Sequence, residues 1–93
     1  MAFTSGSSEM SLRKFDGSNF NFWKEQMQDY LIVKGQIDPI ENEVAPEIYK
    51  ANEWQKLDRI VRATIRMHLS ESVYFTVQSC ETAFELWKKL SET

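Results

Sequence analysis

His68 and Cys80 carry the side chains in this sequence that are best suited to chemistry. An imidazole can act as a general base or hold a metal, and a thiolate is a nucleophile. Each residue type occurs once in 93 residues, and no carboxylate cluster lies near either at the spacing of metal ligands. No local pattern pairs a nucleophile with a base. The sequence therefore predicts no catalytic residue, metal site or cofactor, and we interpret His68 as a core or near-surface residue with one hydrogen bond.

Three arginines form a basic stripe beside the apolar face of one predicted helix. Arg59, Arg62 and Arg66 follow each other at spacings of three and four residues. Two interpretations stay open: a solvated helix flank, or a contact with RNA or with acidic side chains of another copy. The acidic candidates are Glu41, Glu43 and Glu47. Three arginines support only a weak, salt-sensitive phosphate contact, and no interleaved aromatic residue favours base stacking.

Composition limits the class of protein. The net charge of −3 argues against a chain that binds nucleic acid through its overall charge. Aromatic residues make up 13% of the chain, enough for a compact core, and three glycines with two prolines argue against a β-sandwich. No apolar run approaches the roughly 18 residues of a membrane span, and no secretory signal opens the sequence. We expect one small cytoplasmic domain with no membrane partner.

The first half of the chain predicts a long amphipathic helix after a turn. Asp-Gly-Ser-Asn at residues 16–19 bends the backbone, and Ser18 or Asn19 is expected to cap the helix. The helix is predicted from Asn19 to Lys34, with Gly35 in a left-handed cap. Residues 36–40 are expected to form a short helical turn or a tight loop.

The second half predicts a longer helix and two shorter ones. The long helix is expected to begin at Pro46 or Asn52, the latter through an Asn52-x-x-Gln55 capping box, and to end at His68. Residues 72–77 fit either a strand or a helix; because a lone strand would lack a partner, we predict a helix capped near Ser70. A capping box at residues 82–85, with Glu85 returning the bond of Thr82, starts the last helix.

These segments predict an all-α fold, a small bundle of four to five helices. We expect the core to be built by the apolar faces of the two long helices and of the last helix. They are Phe20, Trp23, Met27, Leu31, Trp54, Leu57, Val61, Ile65, Leu86, Trp87 and Leu90.

Three short motifs, taken in order, resemble a known family. They are Phe-Asp-Gly-x-Asn-Phe-x-x-Trp at residues 15–23, Leu-Asp at 57–58, and Thr-Ala-x-Glu-Leu-Trp-x-x-Leu at 82–90. From about Arg13 onward the chain resembles the N-terminal part of Gag from copia-type LTR retrotransposons, those of plants in particular. Residues 36–50 match least.

The resemblance implies a capsid N-terminal lobe and no enzyme. Residues 1–12 would be a disordered lead and residues 13–93 the capsid-like domain. In that family the last helix runs on, and a second lobe and a zinc-knuckle segment follow. We therefore expect an excised lobe or a shortened descendant of a Gag gene. The implied function is self-association into a capsid-like particle that packages the element's RNA, with weak or indirect nucleic-acid contact.

Apolar residues outside the predicted core faces mark where copies would meet. They are Phe22, Ile32 and Val33 on the first helix and Ile60 and Met67 on the long one. A second apolar strip on a helix contacts either more of its own core or another chain. The alternative function is a domesticated, Gag-derived module that binds a host or pathogen protein or peptide in a groove between helices.

Overall fold

The computed structural model describes residues 14–92, and within them it is all-α, as predicted. The five helices are α1 (Phe20–Val33), α2 (Asp38–Glu41), α3 (Ala51–Met67), α4 (Glu71–Val77) and α5 (Ala83–Ser91). The predicted disordered lead, residues 1–12, lies outside the described part of the chain. Within the described part of the chain no strand forms, and the β-type pairing is limited to a single-residue bridge between Phe15 and Leu69.

The turn before α1 differs from the predicted helix cap. Asn19 has a left-handed φ of 54°, and neither its side chain nor that of Ser18 caps the helix. Instead the backbone N–H and the hydroxyl of Ser18 both donate to Oδ1 of Asp16, at 3.0 and 2.7 Å. The short carboxylate side chain thus organises the turn through local hydrogen bonds, which compete with capping.

The end of α1 confirms the left-handed cap at Gly35, whose φ is 70°. The N–H of Gly35 donates to the carbonyl of Ile32 at 3.0 Å. The next N–H, that of Gln36, donates to the carbonyl of Leu31 at 2.7 Å. These two bonds form a Schellman motif, which satisfies carbonyls that the helix end leaves without intrahelical donors.

The start of α3 is at Ala51, so neither Pro46 nor Asn52 begins this helix. Pro46 instead accepts a hydrogen bond from the N–H of Tyr49 at 3.1 Å, in a turn. The predicted Asn52–Gln55 capping box is also wrong. Instead the carboxylate of Glu53, in the first turn of the helix, accepts a hydrogen bond from the N–H of Lys50 at 3.0 Å.

The loop before α3 is tied to α2 by the hydroxyl of Tyr49, which donates to Oδ2 of Asp38 at 2.7 Å. This hydrogen bond to a carboxylate raises the pKa of Tyr49, because losing the phenolic proton would place two negative charges side by side. The ring of Tyr49 also packs on Trp54, with 5.1 Å between centroids. The loop is therefore held to the start of α3 as well as to α2.

Residues 71–77 form a helix, which confirms the choice made between strand and helix. The hydroxyl of Ser70 accepts the N–H of Val73 at 3.5 Å and caps α4. Just before it, the N–H of Phe15 donates to the carbonyl of His68, and the N–H of Ser70 donates to the carbonyl of Phe15, both at 2.8 Å. The segment that precedes α1 is thus bonded directly to the α3–α4 link.

The buried core contains eight of the eleven predicted residues. They are Trp23, Met27, Leu31, Val61, Ile65, Leu86, Trp87 and Leu90. Phe20 and Leu57 are partly buried against this core. Trp54 is half-buried and stands outside the core cluster, so its assignment was wrong: it lies in the first turn of α3, against Tyr49. The core also includes residues outside that list of eleven: Phe15, Ile40, Leu69, Val77, Cys80 and Ala83.

Helix α5 begins at the predicted cap. The hydroxyl of Thr82 accepts the N–H of Glu85 at 3.0 Å. The returning bond differs from the capping box: a carboxylate oxygen of Glu85 accepts the N–H of Glu81, at 2.9 Å, rather than that of Thr82. Thr82 and Glu85 together therefore satisfy two backbone donors at the start of the helix.

We expect Thr82→Ala to lower the free energy of unfolding by about 0.5–2 kcal/mol, because the N–H of Glu85 loses its acceptor. Chemical denaturation followed by circular dichroism measures the loss. Thr82→Ser is the matched control, since it keeps the hydroxyl and should remain close to the parent. Equal losses in both variants would show that the Thr82 methyl group, and not the cap, is responsible.

Candidate interaction site

The five apolar residues predicted for chain–chain contact all lie on the surface. Their exposed fractions run from 39% for Ile60 to 84% for Val33. Phe22, Ile32 and Met67 are each more than half exposed. The folded domain alone therefore leaves all five side chains at least partly in water.

On α1 the exposed apolar residues lie near the two ends of the helix, Phe22 near its start and Ile32 with Val33 at its end. Phe22 and Val33 are eleven positions apart, which brings them within about 20° of each other around the helix but about 16 Å apart along it. Gln26 and Asp29, both exposed and polar, occupy the same side between them. Any contact through this side must accommodate polar side chains in its middle.

On α3 the exposed apolar side is shorter and more continuous. Ile60 and Met67 are seven positions apart, two helical turns, and the exposed Ala63 lies between them. We call these three residues the α3 strip. Close approach of another helix is easiest along such a strip, because Ala63 presents only a methyl group.

Other exposed apolar side chains were not predicted as contact residues. Val44 and Ile48 lie between α2 and α3, while Tyr74 and Phe75 lie on α4. For the α4 pair the sequence held a signal. Leu69, Val73 and Val77 are spaced by four and predict the inner face of this helix, and residues 74 and 75 then lie on its outer side. For the loop residues no periodic pattern was present.

The arginine stripe is divided in the folded domain. Nε of Arg62 lies 2.8 Å from Oδ2 of Asp58, a close ion-pair contact four residues apart on α3. Arg66 donates from Nη2 to the backbone carbonyl of Cys80 at 3.2 Å. Arg59 is exposed, and within residues 14–92 no carboxylate pairs with it. Two of the three predicted contact residues thus serve the fold.

Asp58 is the polar residue whose role the sequence reasoning missed. It is 7% exposed, and its Oδ1 accepts the N–H of Ala83 at 2.9 Å, while Oδ2 pairs with Arg62. A carboxylate at this first N–H of α5 also interacts favourably with the positive end of the helix dipole. Asp58 therefore joins the middle of α3 to the start of α5. Its position in the Leu-Asp motif hinted at importance but not at this partner.

His68 and Cys80 are both buried and serve packing. Nδ1 of His68 lies 2.8 Å from the carbonyl oxygen of Thr64, and because a carbonyl only accepts, Nδ1 carries the hydrogen. This agrees with its interpretation as a histidine with one hydrogen bond. Burial is the main cause that raises the pKa of the Cys80 thiol, with Glu85 adding to it, and both favour the unreactive protonated form.

In the described part of the chain, no group of three or more His, Cys, Asp or Glu side chains could hold a metal ion. Within the same residues no helix is long and apolar enough to cross a membrane. Residues 14–92 thus define a small helical domain with exposed apolar side chains, in which one arginine of the stripe, Arg59, has no carboxylate partner among the described residues.

Comparison with known proteins identifies a relative. The chain is 34% identical over 79 residues to the retrovirus-related Pol polyprotein from transposon TNT 1-94 of Nicotiana tabacum. The match covers 83% of this chain but 6% of the polyprotein. It falls in the N-terminal region of that copia-type polyprotein, the Gag portion rather than the enzymatic Pol domains. The resemblance to a plant copia-type Gag region is thereby confirmed. No family model matches the chain, and no solved structure matches it.

Proposed function

We propose that this chain is a Gag capsid domain that self-associates into a capsid-like particle, which packages the RNA of a copia-type retrotransposon in the cytoplasm. The observation that carries the proposal is the exposure of all five apolar residues expected at a chain–chain contact. The similarity to the N-terminal region of a retrotransposon polyprotein supports it.

Repeated weak contacts would supply the mechanism. Burial of apolar surface gains about 25 cal/mol per Å², and association costs several kcal/mol of lost free motion. The separated apolar residues of α1 and the short α3 strip therefore support only a weak pairwise contact. In an assembly many copies engage at once, so that avidity multiplies the effect of each contact. A heterologous contact repeated by rotation closes into rings or extends into a lattice.

RNA would be held weakly by this domain itself. Arg62 and Arg66 are engaged with Asp58 and the Cys80 carbonyl, so Arg59 is the member of the stripe best placed to contact phosphate. The salt dependence of binding measures the number of phosphate contacts. For one contact, a plot of the logarithm of the binding constant against the logarithm of the salt concentration has a slope of only about −0.7 to −0.9. Packaging would therefore depend on the enclosure of RNA by many copies more than on binding by one.

The Phe22→Asp variant tests the proposal. We expect it to lower the mass of the oligomer, measured by light scattering over a concentration series, because a charge then replaces apolar surface at the contact. The helical circular dichroism should stay close to that of the parent, since Phe22 is 53% exposed. Asn21→Asp is the matched control, because it adds the same charge at the neighbouring exposed residue without removing apolar surface.

Three outcomes distinguish the alternatives. Unfolding of Phe22→Asp would show that Phe22 belongs to the core, and unchanged association would place the contact elsewhere. A parent chain that stays monomeric at every concentration, and forms a complex only when a host or pathogen peptide is added, would favour the domesticated binding module instead.

A further inference from the structure

The segment that runs from the end of α2 into the loop before α3 presents apolar and acidic side chains together. Val44 and Ile48 are 79% and 81% exposed, so that water surrounds most of each side chain. The charged residues of this segment are all negative and exposed: Glu41, Glu43 and Glu47. We call residues 41–48 the acidic loop.

Hydrogen bonds fix the acidic loop at both ends. Near its start the side-chain amide of Asn42 donates to the backbone carbonyl of Asp38 at 3.0 Å. Directly after its end, Tyr49 donates to the carboxylate of Asp38 and packs on Trp54. A loop that is already ordered loses little conformational freedom when it binds, which lowers the cost of a contact.

The α3 strip lies among charges of the opposite sign. At 100° per residue, Lys56 falls inside the arc that the strip covers, and Arg59 lies about 40° outside it. Between positions 56 and 67 these two are the exposed charged residues, and both are positive. Within the strip, Ala63 presents only a methyl group between Ile60 and Met67. An incoming apolar side chain therefore has room between two apolar neighbours.

In a single copy the acidic loop and the α3 strip do not cover each other. Val44 and Ile48 are almost fully exposed on one side, and Met67 is 65% exposed on the other. Within residues 14–92, no carboxylate of the acidic loop forms a salt bridge with Lys56 or Arg59. Each copy therefore presents both surfaces to its surroundings at the same time.

The chemistry of the two surfaces is complementary. Each combines two exposed apolar side chains with charges of one sign, and the signs are opposite. When the loop lies on the strip, apolar surface is buried on both sides while carboxylates face an ammonium and a guanidinium group. Two acidic loops, or two α3 strips, would instead bring like charges together. The α3 strip thus matches the acidic loop better than it matches another α3 strip.

We infer that the acidic loop of one copy of this chain docks on the α3 strip of a second copy, with its carboxylates against Lys56 and Arg59. This inference rests on the proposed self-association and specifies one of its contacts. The contact joins two different surfaces and is therefore heterologous. Because every copy carries both surfaces, the same pairing repeats from copy to copy.

Reversing the charge of either surface tests the pairing. The strip-reversed variant carries Lys56→Glu with Arg59→Glu, and the loop-reversed variant carries Glu43→Lys with Glu47→Lys. We expect each variant alone to show an association constant at least about tenfold below that of the parent, because like charges then meet across the contact. Sedimentation over a concentration series measures the constant.

An equimolar mixture of the two variants gives the decisive result. The strip of the loop-reversed variant is still positive and meets the unchanged acidic loop of its partner. The strip of the strip-reversed variant is negative and meets a loop that now carries two lysines. Both junctions are complementary, so the mixture should associate although neither variant does so well alone.

The control is Lys88→Glu with Lys89→Glu, two exposed residues in the last turn of α5 and outside both surfaces. It has the same net charge as the strip-reversed variant and should associate as the parent does. Circular dichroism checks that each variant is folded. If a reversed variant unfolds, glutamine replaces the same two residues, and the expected result is weaker association at unchanged helical content.

The contrary results are distinct. Association of the strip-reversed or loop-reversed variant, or of its glutamine replacement, at the strength of the parent would overturn this contact and leave self-association standing. A mixture that associates no better than its components would overturn it as well, and so would an equal loss in the α5 control. A parent chain that is monomeric at every concentration would overturn both the contact and the proposed function.

Discussion

Replacing Trp23 by alanine is expected to lower the free energy of unfolding by about 3–5 kcal/mol, the largest loss among the substitutions considered for this domain. The indole is 3% exposed and stacks between two rings, with centroids 5.3 Å from Phe15 and 5.7 Å from Trp87. It therefore joins the segment before α1, α1 itself and α5 in one aromatic stack. Denaturant unfolding followed by circular dichroism measures the loss.

Two further variants show whether packing is the cause. Trp54→Ala removes the same atoms from a half-buried site outside the core and should lose clearly less stability. Trp23→Phe keeps a ring in the stack, and within residues 14–92 Nε1 of Trp23 has no hydrogen-bond acceptor to lose. Its loss should therefore lie well below that of Trp23→Ala. Equal losses for both alanine variants would contradict the central place given to Trp23.

Replacing Asp58 by alanine is expected to lower the free energy of unfolding by about 2–3 kcal/mol. The change removes the acceptor of the Ala83 N–H and leaves Arg62 without its carboxylate. The side chains of the ion pair are 10% and 22% exposed, so water compensates part of the lost charge interaction. Most of the loss should come from the buried N–H at the start of α5.

The matched control is Asp58→Asn, whose side-chain carbonyl can still accept the Ala83 N–H. It should retain more stability than the alanine variant. A double-mutant cycle with Arg62→Ala then isolates the ion pair. A change of less than about 0.5 kcal/mol for Asp58→Ala, the range of ordinary surface substitutions, would show that the link between α3 and α5 contributes little.

Much of this fold was predictable because its signals are local. The left-handed position of Gly35 and the Thr82 cap depend on residues within one helical turn, and both were confirmed. The exposure of Phe22, Ile32 and Val33 follows from the 100° step of a helix whose inner face is set by Trp23 and Met27. For these features the printed sequence holds all the information needed.

The remaining features depend on partners that are distant in sequence. Asp58 is a charged residue within a helix, and its acceptor role appears only when Ala83 is placed 25 positions away beside it. Phe15 precedes every predicted helix, yet it is 2% exposed, because its backbone pairs with the α3–α4 link and its ring packs against Phe20 and Trp23. At the start of α3 neither of the two predicted starts, Pro46 and the Asn52–Gln55 box, is used, because Glu53 accepts the N–H of Lys50 instead.

The pairing of Phe15 with Leu69 and the stacking of Trp23 on Trp87 decide when the domain can fold during its synthesis. The partners lie 54 and 64 positions apart along the chain. A ribosome adds about 5–20 residues per second, so Trp23 is made about 3–13 s before the ring that covers it. Throughout that interval the aromatic stack around Trp23 lacks the ring that α5 contributes. The stack can therefore be completed only after Trp87 of α5 has been made.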